Sequence, residues 1–141
     1  GMRIGDCATQ RNLDESGRAQ ARRIGQAFRE RGVRIGAVLT SQWCRTRATA
    51  QASFGALAPA GLRDQPAFNS WFGGLGDPPR QTAQAREILR RWQGPGVLVV
   101  VTHQVNITAL TGQVPASGEA VVVRPAPGDQ PWPVVGRLTT P

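Results

Sequence analysis

Two short segments of this sequence set polar, ionisable side chains directly after apolar runs. One is Thr40-Ser41, with Arg45 four residues beyond the serine, and the other is Thr102-His103. An arginine guanidinium presents a planar fork of donors that matches two oxygens of one anion, and a protonated histidine adds a third contact. Backbone amides at the start of a helix attract the same groups. The chemistry these residues suit is the holding of a phosphate-sized anion. Other chemistries find less support. His103 is the sole histidine, carboxylates near it are few and the cysteines stand apart at positions 7 and 44, so no metal-ligand set forms. No nucleophile-elbow serine, dinucleotide-binding glycine motif or P-loop occurs, and no cofactor is expected. Simpler roles stay open: a lone histidine after a strand can cap it, and Arg45 competes with Arg47, since either can face solvent.

Elements must bring these residues together. Asn12 to Arg31 is expected to be helical, capped by Asn12 or Asp14, with Ala21, Ile24 and Phe28 on the buried stripe and Gly32 as the stop. Val33 to Thr40 is too short for a helix and is expected as a strand, after which a helix opens at Ser41-Gln42 and runs to about Ser53. Gly55 to Pro79, rich in Gly, Pro and Ala, is expected to be an irregular loop whose Trp71 and Phe72 line the site's entrance. A helix over Arg80 to Gln93 follows, broken by Gly94-Pro95-Gly96. Val97 to Val101 is a continuous β-branched run, the pattern of an interior strand covered on both faces. A short helix to Leu110, closed by Gly112, and two strands, Ala120 to Arg124 and Val134 to Leu138, complete the chain. The expected fold is α/β, a three-layer sandwich with a mainly parallel central sheet flanked by helices and an antiparallel edge, all in one domain. Few strands are available for the helices to cover, which suggests a missing central strand.

With 141 residues the chain can bury a sizeable core. The net charge of +8 comes from arginine, with no lysine in the chain. These arginines are scattered, without long basic runs or interleaved aromatics, so nucleic-acid binding is disfavoured. No apolar run is long enough for a membrane span. The start is not a secretory signal, so the chain as given reads as cytoplasmic. An upstream leader would instead make it exported, where Cys7 could bond Cys44. Otherwise both are free thiols. Gly1 cannot start translation and Met2 can, so the product is expected to begin at Met2.

Three motifs carry a resemblance. The segment 12–21 (NLDESGRAQA), Ser41-x-x-x-Arg45-Thr46 and Val99-Val100-Val101-Thr102-His103 resemble, in order, signatures of the histidine phosphatase, or phosphoglycerate mutase-like, superfamily; 118–122 resembles the strand that follows. The resemblance implies a phosphatase-like relative acting on phosphomonoesters. Arg45 would clamp phosphate, and His103 would be the second phosphate-contacting histidine. Ser41 and Thr102 would support the strand ends, with Gln104 and Asn106 lining the pocket. The family's first strand ends in Arg-His-Gly or Arg-His-Ala and supplies the attacking histidine; nothing here matches it. The expectation is therefore a domain truncated at that strand, holding the phosphate-binding half of the site with weak or no activity. A non-catalytic binder of phosphoryl ligands is the alternative, and Asp64 lacks the context of a proton donor. Without that strand, the sheet is expected to close up, to take in residues Met2 to Ala8, or to pair with another chain, and its exposed edges offer a route to a homodimer.

Overall fold

The computed structural model of the protein describes residues 1–58 and 60–140. Pro141 and Pro59, the latter within the stretch expected to be irregular, lie outside the described residues. Helix α1 (Glu15–Glu30) begins at Asp14, whose carboxylate accepts from the Gly17 N–H at 2.7 Å. The other candidate cap, Asn12, donates to the Cys7 carbonyl instead. Strand β1 (Ile35–Thr40) leads to α2 (Cys44–Phe54). This helix starts later than Ser41 because the Ser41 hydroxyl accepts from the Trp43 N–H at 3.1 Å and Trp43 itself is extended. The loop expected at 55–79 contains a three-residue strand, β2 (Leu62–Asp64), and a 3-10 turn at Pro66–Phe68. Helix α3 (Pro78–Arg90) is capped by Asp77 and followed by β3 (Val97–Val101). Helix α4 (Gln104–Thr111) ends at Gly112, whose φ of 74° is the left-handed conformation that glycine adopts without steric cost. Strands β4 (Ala120–Val123) and β5 (Val134–Leu138) come last.

The architecture is α/β, with a parallel sheet in the order β2-β1-β3 flanked by helices. Two expectations need correction. The antiparallel pair β4-β5 is a second sheet rather than an edge of the first. Strand β3 lies at the edge of its three-stranded sheet, although its sequence reads as interior. Strands β1 and β3 pair directly, with no gap between them, and residues Met2 to Ala8 do not join the sheet. That segment folds on itself through an Arg3–Asp6 bridge and a 3-10 turn at Cys7–Thr9.

Both faces of the parallel sheet are packed. On one, Ile35, Val38, Ala50 and Phe54 form a cluster joined by Ile24 and Phe28 of α1. On the other, Leu39, Ala67, Phe68 and Ala85 pack with Ile88 and Leu89 of α3. No helix among the described residues is long and apolar enough to cross a membrane.

Candidate anion-binding site

The carboxyl ends of β1 and β3 lie side by side in the parallel ladder, with Thr40 opposite Val101. The residues that leave these ends therefore meet. Ser41, fully buried, places its hydroxyl oxygen 2.8 Å from His103 Nε2 and 2.6 Å from Thr46 Oγ1. Thr46 Oγ1 also has the Trp43 carbonyl at 2.9 Å and the Ser41 carbonyl at 3.3 Å as acceptors. With its proton on either carbonyl, the order is His103 Nε2–H donating to Ser41 and Ser41 donating to Thr46. The Trp43 ring packs edge-on against the imidazole, with centroids 5.3 Å apart. Sequence joins residues 62 apart here through two strand ends and one hydroxyl.

Burial lowers the His103 pKa to about 4, because the charged ring loses its hydration. The ring is therefore neutral at pH 7, not the protonated contact expected from sequence. Arg45 lies exposed in the first turn of α2 and lines the cleft beside His103. Among the described residues no carboxylate pairs with it. Arg47 behaves differently: its guanidinium grips Asp64 through two bonds. That pair separates the two arginines and occupies the acid nearest the loop.

The remaining candidates divide. Thr102 lines the cleft and donates its hydroxyl to the Phe68 carbonyl at 2.7 Å, and Gln104 lines it while donating to the Pro115 carbonyl. Asn106 is buried away from the lining and donates to the Asn69 carbonyl at 2.9 Å. Cys7 and Cys44 are joined by a disulfide with Cα atoms 5.7 Å apart. The bridge fastens the first residues to the start of α2, so that Gln10 Oε1 accepts from the Cys44 N–H. As a result Met2, Gln10 and Arg11 line the mouth of the cleft together with Trp43. Trp71 and Phe72 are not among its lining residues, and Phe72 is 79% exposed. Arg11, a second cation at the mouth, was not legible as a site residue, because it precedes the helix and belongs to no motif. Thr46 was legible only as part of Ser41-x-x-x-Arg45-Thr46. No group of three or more His, Cys, Asp or Glu residues among those described gathers where it could hold a metal ion.

Comparison with known proteins finds similarity to a protein family and to solved structures. A family model described as the histidine phosphatase superfamily (branch 1) matches residues 6–75, which include Ser41 and Arg45. Among solved structures, YhfR of Bacillus stearothermophilus is similar in fold, with a TM-score of 0.50 and 24% identity. The match covers 68% of this chain and 63% of that one, so the chain spans less than two thirds of its length. A comparison with curated proteins finds no match.

Proposed function

Because the chain belongs to the histidine phosphatase superfamily, we propose that its cleft holds a phosphate or the phosphoryl group of a phosphomonoester between Arg45 and His103. The observation that carries this reading is an uncompensated guanidinium, Arg45, in the cleft that a half-buried, oriented His103 also lines. A guanidinium free of carboxylates has its full fork of donors available to an incoming anion. Arg11 adds positive charge at the mouth. With its Nε2–H donated to Ser41, the imidazole contacts an anion by gaining a proton at Nδ1. An anion beside it favours that protonated form.

These residues bind rather than attack. His103 is the only histidine of the 141 residues, and covalent phosphoryl transfer through histidine needs a ring nitrogen in line with the leaving oxygen. His103 is held by Ser41 as a contact to the group, so the chain as given retains the anion-holding half of a phosphatase site, with weak hydrolysis at most. The alternative is a non-catalytic binder of phosphoryl ligands in the same cleft.

Calorimetric titration with inorganic phosphate, paired with an aryl phosphate turnover assay, tests the reading. Saturable binding is expected, weakened about 10- to 100-fold in Arg45→Ala, the loss of one or two charge-assisted hydrogen bonds, and weakened also in His103→Ala. Turnover abolished by both substitutions would favour an active enzyme, and binding without turnover the binder. Phosphate affinity unchanged in both variants would refute the site. Steeply salt-dependent association with nucleic acid that ignores His103 would point to a different function.

A further inference from the structure

Beside the anion-holding cleft lies a second cavity of about 550 Å³. Met2 and Trp43 line both, so they form a common wall between the two compartments. The Trp43 ring packs edge-on against the His103 imidazole. A molecule anchored at His103 therefore has the second cavity next to it, across that ring.

The walls of the second cavity combine two kinds of surface. Ile4, Pro66 and Leu75 add apolar area to that of Met2 and Trp43. Its polar side chains are mostly committed to neighbours. Asn69 exchanges two hydrogen bonds with Gln42. Gln81 donates to the Asn69 carbonyl and accepts from the Asp77 N–H. The Ser70 hydroxyl oxygen accepts from the Phe72 N–H, and Gln84 is neutral and exposed. Asp77 differs. One of its carboxylate oxygens caps α3 by accepting from the Arg80 N–H at 3.3 Å, and among the described residues nothing donates to the other.

Charge separates the compartments. The cleft is lined by Arg11 and Arg45, and its one carboxylate, Glu119, is paired with Arg137 at 2.9 Å. No cation lines the second cavity, although the chain has 17 arginines, and Asp77 is the single charged group there. A cationic compartment joined to an anionic one by an apolar wall narrows the choice of occupant. A second phosphoryl or carboxylate group would face the Asp77 carboxylate and lose hydration without gaining a donor. An ammonium meets the free Asp77 oxygen, and the Trp43 ring adds attraction for a cation. An apolar body between the two ends covers Met2, Ile4 and Leu75, each more than a third exposed.

We propose that the two compartments hold one amine-bearing phosphomonoester, with its phosphoryl group between Arg45 and His103, an apolar body along Met2 and Trp43, and an ammonium facing Asp77. The proposal rests on the anion-site reading above and names the class of ester that site takes. Asp77 is then a specificity-determining residue that takes no part in holding phosphate.

Calorimetric titration of the full chain at pH 7 and low salt compares phenyl phosphates carrying a para aminoethyl, propyl or carboxyethyl chain, with inorganic phosphate as the reference. The propyl ester is expected to bind at least about tenfold more tightly than phosphate. The aminoethyl ester should bind about three- to tenfold more tightly than the propyl ester, and the carboxyethyl ester about three- to tenfold less tightly. Asp77→Asn keeps a side chain that caps α3 equally well, and it is expected to remove that order. If phosphate binds and the three esters bind alike, the proposal is overturned and the anion site stands. An order that survives in Asp77→Asn overturns it too, by putting the ammonium elsewhere. So does a propyl ester that binds no better than phosphate, since its body then lies outside the second cavity. Binding by neither phosphate nor any ester refutes the anion site, and the proposal falls with it.

Discussion

Ser41 is the residue at which both strand ends, the first turn of α2 and the imidazole are joined. Its hydroxyl answers Trp43, Thr46 and His103 at once, while loss of hydration keeps the partly buried histidine neutral. That state has a measurable cost in acid. The folded-state pKa of His103 lies near 4, below the unfolded value of 6.5. Between these values the unfolded chain binds the proton and the folded chain does not. The His103 contribution is complete above about pH 6.5 and is lost as the pH falls toward 4, by no more than about 1.4 kcal/mol per pH unit. Denaturant unfolding at pH 7 and pH 5 should show a greater loss for the parent chain than for His103→Gln. Equal losses would mean that the ring titrates like an exposed imidazole.

Among the elements, the packing of α1 on α2 depends on one glycine. A Cβ at Gly25 would come within 1.9 Å of the Ser53 carbonyl oxygen, while the Ser53 hydroxyl donates to the Ala21 carbonyl at 2.8 Å. Gly25→Ala raises helix propensity by about 1 kcal/mol, but the backbone clash outweighs it. A net destabilisation of about 1 to 3 kcal/mol is expected from thermal or denaturant unfolding, and a stabilised variant would show that the helices separate freely. This contact was invisible in the sequence, where Gly25 reads only as a weak helix residue. The long helices were legible because Ala21, Ile24 and Phe28, or Ala85, Ile88 and Leu89, repeat at helical spacing. Strand β2 was not: Leu62-Arg63-Asp64 has one apolar residue, and only its pairing with Val38 to Thr40 makes it a strand. The Ser41, Arg45 and His103 cluster was legible because strand ends and residue types suffice to suggest it. Arg11 and Trp43 reach the cleft only through the folded geometry.

At the scale of the molecule, the Cys7–Cys44 bridge closes a loop of 37 residues around α1 and β1. Chain-entropy arguments put its contribution at about 3 to 4 kcal/mol. Replacing both cysteines with serine should lower the unfolding midpoint accordingly, and an unchanged midpoint would show that the bridge constrains little. The sequence left the bridge and two free thiols equally open, since a pair of cysteines carries no spacing signal. Their approach follows from the turn that brings residues 1–10 against the start of α2. The edge position of β3 was hidden for the opposite reason: its composition describes a strand with two neighbours, and the fold of these residues supplies one.

The bridge also fastens the segment from which Met2, Gln10 and Arg11 reach the mouth of the cleft. Anion occupancy and thiol oxidation then share one thermodynamic cycle. If closing the bridge tightens phosphate binding by some factor, phosphate must favour the oxidised pair by the same factor. Each tenfold preference lowers the reduction potential of the couple by about 30 mV. Redox titration in a dithiothreitol buffer, with and without saturating phosphate, reads that shift directly; coincident curves would show the two events to be uncoupled. In such a molecule the occupied cleft protects its own crosslink.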